Sequence, residues 1–302
     1  MYYKKNEINI NLMMNRDDIY VRFVIVRSTV KIKSLRMIKS DSDNNIILSD
    51  KYCIYDVNTI IKCKLKINKR FVDDVCYHGY VTTLDWLKKS GLLLEYTCGS
   101  LIYASRNGHV NILEWWLNSG LPLKHTNHAL IEASKMGHIN VLNWWLNSGL
   151  PLKHTNHALI EASKMGHINV LNWWLNSGLP LKHTNCTLVE ASKKGRVEVL
   201  EWWFNSGIKL IYVRRILTEA SKEGHVNVLD WWVSRGLEVK YIPKIGIYGY
   251  KKGNNNVVKW WMNFITTSRR REYESEVKKE VIDRAISKPG FWKKIKLFFT
   301  KN

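Results

Sequence analysis

Apolar side chains along the middle of the chain recur with the spacing of short helices. In residues 139–147, INVLNWWLN, Leu142, Trp145 and Leu146 fall at positions i, i+3 and i+4, and Trp144 belongs to a neighbouring apolar stripe. A helix that is apolar on two flanks lies between neighbours on both sides. The pattern therefore predicts a packed helix in which both tryptophans face the core.

A shorter helix precedes this one in the same unit. Residues 128–136, HALIEASKM, fit it, with Asn127 as the N-cap. Gly137 then supplies a left-handed turn, and Gly149 ends the second helix. Glycines return at the first position every 29 residues, at Gly79, Gly108, Gly137, Gly166, Gly195, Gly224 and Gly253. A second glycine follows twelve residues after the first in six units, and the last unit has Ile265 there. These second glycines are Gly91, Gly120, Gly149, Gly178, Gly207 and Gly236.

The tryptophans follow the same period. They occupy Trp86, Trp115–Trp116, Trp144–Trp145, Trp173–Trp174, Trp202–Trp203, Trp231–Trp232 and Trp260–Trp261. Residues 120–148 and 149–177 are identical, which indicates a recent duplication, so residues shared by these two units are no guide to function. Because a single unit is too short to bury a core, the units must stack. The sequence predicts an all-α solenoid of helix pairs with about seven units.

One segment of the repeat resembles a known family. Residues 104–120, ASRNGHVNILEWWLNSG, resemble the ankyrin motif A-A-x-x-G-H-x-x-V-V-x-L-L-L-x-x-G-A without gaps, and Leu130 matches the leucine of the ankyrin T-P-L-H segment. The resemblance covers about residues 70–265. The form rich in tryptophan, asparagine and lysine is similar to the ankyrin-repeat proteins of amoeba-infecting giant viruses and of amoebae. The resemblance implies a scaffold that binds proteins, and a structural role for the histidine after the first glycine.

The chain also departs from the ankyrin pattern. Its period is 29 residues and that of ankyrin is 33. The four missing residues fall between the second glycine and the next first helix, where the family forms a β-hairpin. Residues 128–131, HALI, stand in place of the T-P-L-H segment. We therefore expect the hairpins to be shortened to loops, which weakens any binding mode that depends on hairpin tips.

The two ends of the chain lack the repeat. Residues 21–35, VRFVIVRSTVKIKSL, are β-branched and alternate in part, so they predict either strands or a decayed repeat that caps the array. Residues 269–287 are typical of a charged helix that ends before Pro289. Residues 291–302, FWKKIKLFFTKN, combine aromatic and basic side chains. We expect a cap or degenerate repeat over 1–67, an ankyrin-like array over 68–265 and a basic helical tail over 266–302.

The chain is strongly basic. Its 47 Lys and Arg residues exceed its 26 Asp and Glu residues, which gives a formal net charge of +21. Residues 1–75 and 263–302 each carry +6, so the middle carries only +9. This charge would attract nucleic acid, anionic membranes and acidic proteins alike. Nucleic-acid binding is thus an alternative hypothesis, and a weak contact of residues 291–302 with an anionic membrane surface is another.

The location of the protein is predicted from what the sequence lacks. The five cysteines are scattered and form no C-x-x-C pair, which is typical of a reducing compartment. The N-terminal MYYKKNEINI has no apolar core behind its charges, so it is no secretory signal, and no run of 18 apolar residues could span a membrane. We expect a cytoplasmic monomer, in the host cytoplasm if the viral resemblance holds.

Candidate chemistry is confined to binding. The sequence contains no phosphate-binding glycine loop, no H-E-x-x-H pair and no G-x-S-x-G elbow, and it predicts neither an enzyme nor a cofactor or metal site. Basic residues and histidines recur between the second glycine and the next first helix, and they form a candidate edge for an acidic protein partner. The candidate partner-binding residues are Lys124, His125, His128, Lys153, His154, His157, Lys182, His183, Arg214 and Arg215.

Overall fold

A computed structural model describes most of the repeated part of the chain. The described residues are 20–21, 24–26, 46–48, 52–92, 95–181, 183–208, 215–237, 249 and 252–267. The chain divides into two compact units, Met1–His125 and Thr126–Asn302. The region boundaries expected at residues 67 and 265 stay a prediction, and the basic tail beyond residue 267 lies outside the described residues.

The described part of the first unit begins with short strands. Strands β1 (Tyr20–Val21) and β4 (Tyr52–Cys53) pair antiparallel, as do β2 (Val24–Val26) and β3 (Ile46–Leu48). Part of the segment that predicted strands therefore forms them, and residues 22–23 and 27–35 lie outside the described residues. The described helices of this unit are α1 (Val57–Cys63), α2 (Lys69–His78), α3 (Val81–Lys89), α4 (Gly99–Arg106) and α5 (Val110–Asn118).

The second unit consists of helices in its described residues. They are α6 (His128–Met136), α7 (Ile139–Asn147), α8 (His157–Met165), α9 (Ile168–Asn176), α10 (Cys186–Lys193), α11 (Val197–Asn205), α12 (Arg215–Glu223), α13 (Val226–Ser234) and α14 (Asn255–Thr267). The first helices of successive pairs, α6, α8, α10 and α12, pack on one another. The second helices, α7, α9, α11, α13 and α14, form a neighbouring row. This confirms the expected all-α solenoid of helix pairs.

Short loops join the helix pairs, as expected from the missing four residues. In residues 121–127 and 150–156, which are fully described, the loops contain no strand, so the ankyrin-type hairpin is reduced there to a plain loop. Gly137 adopts φ +81° between α6 and α7, and its N–H bonds the Ala133 carbonyl. Gly149 adopts φ +71° after α7. Both glycines therefore perform the turns predicted for them.

The N-cap prediction needs a correction. Asn127 stands at the N-cap position of α6, but its side chain makes no capping hydrogen bond. Its backbone is already helical, with φ −59° and ψ −18°, so the side chain does not reach the free N–H groups. The hydroxyl of Thr126 instead accepts a hydrogen bond from the His128 N–H, 3.3 Å away. Thr155 repeats this bond with His157.

The core is built from small residues on the first helices and large residues on the second. Ala133 and Ser134 are fully buried on α6, while Leu142 and Trp145 are buried on α7. The small side chains let consecutive first helices approach closely, and the large ones fill the space between the two rows.

The paired tryptophans have two different environments. The second member of each pair is buried, with Trp116, Trp145, Trp174, Trp203, Trp232 and Trp261 at most 2% exposed. The first member is only half-buried in Trp115, Trp144, Trp173, Trp202 and Trp260, although Trp231 is 6% exposed. The expectation that both members face the core is therefore wrong for most first members. Adjacent helix positions point about 100° apart, and the two indoles lie nearly perpendicular, at 88° in Trp173–Trp174.

Candidate functional site

The loops that carry the candidate residues are fixed at both ends. At the end of α7, the Ser148 hydroxyl donates to the Trp145 carbonyl at 2.8 Å and accepts from the Leu150 N–H at 3.3 Å. Ser177 makes the same two bonds after α9. Each loop therefore leaves its second helix in the same direction, and equivalent side chains along the loops recur at equivalent places within the second unit.

One candidate histidine stabilises the loop edge. His154 donates from Nε2 to the Pro180 carbonyl, 3.0 Å away in the next loop, and its ring lies 5.5 Å from that of Trp174. In the first unit Tyr96 occupies the equivalent position, donates its hydroxyl to the Pro122 carbonyl at 2.7 Å, and lies 4.5 Å from Trp116. Both residues at this position therefore have an aromatic ring that carries a hydrogen-bond donor. The donor joins two loops, and the ring covers a buried indole.

The other histidines at this loop position are also half-buried. The His183 ring lies 6.4 Å from the Trp203 ring, and His125 is half-buried at the end of the first unit. Their packing indicates that the histidines at this position contribute to the loop structure. The buried part of each side chain is not accessible to a partner.

The lysines of the loops reach the surface. Lys153 is exposed. Lys124 is exposed as well, but its Nζ donates to the Tyr96 carbonyl at 3.0 Å and lies 4.4 Å above the Tyr96 ring. A cation above a ring is held in one place without losing its charge. Lys182 lies outside the described residues.

The remaining candidates lie at the beginnings of first helices. His128 and His157 are exposed, and each has its Nδ1 near a threonine hydroxyl, at 3.3 Å from Thr126 and 3.5 Å from Thr155. Arg215 is exposed at the first position of α12, and Arg214 lies outside the described residues.

In the second unit, Lys153 and His157 are thus exposed along the loop edge, whereas the His154 side chain packs between the loops.

The first-helix face continues this edge. Met136 and Met165 are 41% and 38% exposed near the ends of α6 and α8. Glu161 pairs with Lys164 at 3.4 Å on α8, and Glu219 pairs with Lys222 at 2.9 Å on α12. This surface therefore combines exposed methionines, which adapt to varied partners, with charge pairs that are partly exposed.

The histidine after the first glycine has a structural role. His167 donates from Nε2 to the Lys135 carbonyl at 3.0 Å, and His225 donates in the same way to the Lys193 carbonyl. Asn254 replaces the histidine in the last unit and donates to the Lys222 carbonyl at 2.6 Å. The side chain thus satisfies a carbonyl at the end of the preceding first helix, as the resemblance implied. In the described residues no group of three or more His, Cys, Asp or Glu side chains could hold a metal ion.

The half-exposed tryptophans were missed by the sequence reasoning as a surface feature. Trp115 donates its indole N–H to Asp85, 30 residues earlier, and the same bond joins Trp173 to Asn143, Trp202 to Asn172 and Trp260 to Asp230. The buried Trp231 donates in the same way to Glu201. The signal was available, because an Asp, Asn or Glu recurs at that position of the repeat. It indicates that the first tryptophan of a pair lies at the boundary with solvent.

Neither protein-family models nor curated proteins include a match to this chain. Among solved structures, the chain is similar to the human ASB11 ankyrin repeat domain, with 20% identity and a TM-score of 0.47 over 56% of this chain and 85% of that one. Within the described residues, no helix is long and apolar enough to cross a membrane.

Proposed function

We propose that this protein is a non-catalytic scaffold or adaptor that binds another protein through its loop edge and first-helix face. The observation that carries the proposal is the exposed edge of the second unit, where Lys153, His157 and Met165 reach solvent while His154 holds the loops together. A rigid edge with repeated side chains suits recognition that is spread over several repeats.

The partner that fits this edge carries acidic groups. The exposed lysines would meet carboxylates, and the exposed methionines would meet apolar side chains of varied shape. We propose that the partner is a cellular protein met in the cytoplasm, and a host protein if the viral resemblance of the repeat holds.

Affinity purification with charge-reversed loops tests the proposal. The tagged full chain, the Lys124→Glu/Lys153→Glu variant and a Lys89→Glu/Lys259→Glu control would be used to capture proteins for mass spectrometry. The control reverses the same number of charges on exposed lysines of the second helices α3 and α14. We expect proteins that the wild type and the control retain and the loop variant loses. Equal capture by all three would contradict binding at the loop edge.

Nucleic-acid binding is the alternative that the net charge of +21 favours. It predicts affinity that falls steeply as the salt concentration rises, because phosphate contacts release counterions. A gel-shift assay with RNA and duplex DNA at about 150 mM salt separates the two functions. Retention of the captured proteins after nuclease treatment would favour the protein partner, and their loss would favour nucleic acid.

A further inference from the structure

The second helices form a groove that the proposed function does not use. It has a volume of about 440 Å³ and lies between α9 and α11. Apolar side chains line it from both helices, namely Ile168 and Leu175 from α9 and Trp202 from α11. Leu175 is 39% exposed, and Phe204 on α11 is 38% exposed next to the lining residue Asn205. A volume of this size accommodates one or two large side chains.

The wall of this groove is held in place by hydrogen bonds. The Trp202 indole N–H donates to Asn172 Oδ1 at 2.6 Å, so the ring cannot swing out to solvent without losing that bond. Glu201 lines the groove and accepts from Trp231 Nε1 at 2.7 Å and from Asn205 Nδ2 at 2.9 Å. Because these side chains are already held in place, less conformational entropy is lost when a ligand binds.

The groove is acidic in a basic protein. Glu201 forms an ion pair with Arg235 at 2.6 Å, and the indole hydrogen bond from Trp231 lowers the pKa of its carboxyl. Glu198, one turn earlier on α11, is exposed, and no cation among the described residues lies within ion-pair distance of it. A free carboxylate repels phosphate groups, so the groove disfavours nucleic acid and anionic lipid and favours a cation.

The carboxylate at this position is an exception within the repeat. Asn140, Asn169, Asn227 and Asn256 occupy the equivalent position in other second helices. The corresponding positions of α7 and α9 carry the same types of apolar residue, Ile139, Leu146 and Trp173, but Asn169 and Asn172 replace the two glutamates. Charge distinguishes the two sets of positions, and the chain supplies a control for its own site.

We propose that the groove floored by Ile168, Leu175 and Trp202 binds a segment of a separate protein in which a lysine or arginine lies beside a large apolar side chain. The apolar side chain enters the groove and the cation pairs with Glu198. None of the loop lysines lines the groove, so this proposal and the proposed function can fail separately.

Peptide binding to the full chain tests the proposal. The probe is a fluorescein-labelled amphipathic helical peptide of 14 residues made of leucine and lysine, and its control has glutamate in place of lysine. Fluorescence anisotropy at about 150 mM salt would give the affinities. We expect the lysine peptide to bind and the glutamate peptide to bind at least tenfold more weakly, since like charges oppose each other at the groove. Both affinities are measured on the Lys124→Glu/Lys153→Glu chain, because the loop edge of the wild type would itself attract the glutamate peptide. Equal affinities of the two peptides for that chain would overturn the proposal.

Two variants with the same change in net charge locate the site. Glu198→Asn introduces the residue that other units have, and Asn169→Lys adds one positive charge at the equivalent position of α9. We expect Glu198→Asn to lower the affinity for the lysine peptide by about two- to fivefold, as removal of an exposed ion pair does. Asn169→Lys should leave its affinity unchanged. Equal effects of both variants would mean that net charge alone attracts the peptide, and the proposal would be wrong.

A transplanted site provides the converse experiment. Asn169→Glu with Asn172→Glu, added to the Glu198→Asn variant, gives the corresponding positions of α9 the carboxylates of the α9–α11 groove, and it should restore the affinity that Glu198→Asn removes. An affinity that stays at the level of Glu198→Asn would overturn the assignment of specificity to these carboxylates. If an unlabelled peptide of residues 291–302 displaces the probe at lower concentration than the leucine–lysine peptide does, the occupant is this chain's own terminal segment, and the assignment to a separate partner is wrong.

Discussion

The indole of Trp174 donates its N–H to the hydroxyl of Ser134, 3.0 Å away and 40 residues earlier in the chain. Both side chains are buried, at 1% and 0% exposure. The bond joins the second helix of one repeat to the first helix of the repeat before it. Trp203 makes the same bond with Ser163, and Trp261 with Ser221. Cohesion between repeats therefore depends on a large apolar ring whose single polar group is satisfied by a small residue in the neighbouring repeat.

Truncation of a buried tryptophan should cost far more stability than truncation of its half-exposed neighbour. We expect Trp174→Ala and Trp145→Ala each to lower the free energy of unfolding by about 3–5 kcal/mol, because each leaves a large cavity. Trp173→Ala should cost about 1–2 kcal/mol, since it removes a partly exposed ring and its bond to Asn143. Urea unfolding of the three variants followed by circular dichroism measures this order. A loss below about 1 kcal/mol in Trp145→Ala would show that this ring does not pack in the core.

Removal of the Ser134 hydroxyl should be costly although the change is small. Ser134→Ala leaves the Trp174 N–H buried without its acceptor, for which we expect a loss of about 1–3 kcal/mol. The Ser134→Ala/Trp174→Phe double variant removes both partners, so it should lose less than the sum of the two single variants. Additive losses in urea unfolding would show that the hydrogen bond does not couple the two repeats.

Two glycines with similar backbone angles should differ in their tolerance of a side chain. Gly166 (φ +88°) and Gly149 (φ +71°) both have left-handed conformations, so alanine strains either position by about 1–2 kcal/mol. A Cβ atom at Gly166 would also lie 3.2 Å from the Arg196 side chain, whereas nothing lies within 4 Å of a Cβ at Gly149. We expect Gly166→Ala to lower the melting temperature more than Gly149→Ala. The opposite order would mean that strain at these turns depends on something other than the neighbouring repeat.

Period and glycine spacing were sufficient to predict the helix pairs, because a 29-residue pattern leaves few ways to bury a continuous core. They did not predict which tryptophan of a pair meets solvent. That depends on the angle at which α9 packs on α7, and adjacent apolar positions in one helix look alike in sequence. The same limit applies to His154, whose bond to Pro180 connects side chains in two loops that only the folded chain brings together. Thr126, and not Asn127, bonds the helix N–H because the asparagine backbone has already turned helical.

Cys76 should make the stability of the first unit depend on alkaline pH. Its thiol is fully buried and accepts from Trp116 Nε1 at 3.3 Å, and burial raises its pKa to about 12. In the unfolded chain the thiol ionises near its ordinary pKa of about 8.5. The folded state therefore holds the proton more tightly, and this contribution is complete below about pH 8.5 and is lost as the pH rises toward 12.

The Cys76→Ser variant isolates this effect from other groups that titrate in the same range. Serine occupies the equivalent position in other units, where Ser134 accepts from Trp174, so the fold should tolerate the change. We expect the unfolding free energy of the wild type to fall relative to that of Cys76→Ser by up to about 1.4 kcal/mol per pH unit between pH 9 and 11. Parallel pH profiles for the two proteins would exclude the thiol as the cause.

Substitution of two histidines that are three residues apart should separate structure from binding. His154→Ala removes the bond to the Pro180 carbonyl and the ring against Trp174, so we expect a loss of about 1–2 kcal/mol in unfolding free energy. His157 is exposed at the beginning of α8, and His157→Ala should change stability by less than about 0.5 kcal/mol. If the loop edge binds a protein, His157→Ala should weaken capture of that protein without a change in melting temperature. Neither histidine belongs to the binding surface if His157→Ala captures the partner as well as the wild type does and His154→Ala loses capture only in proportion to the fraction of unfolded protein.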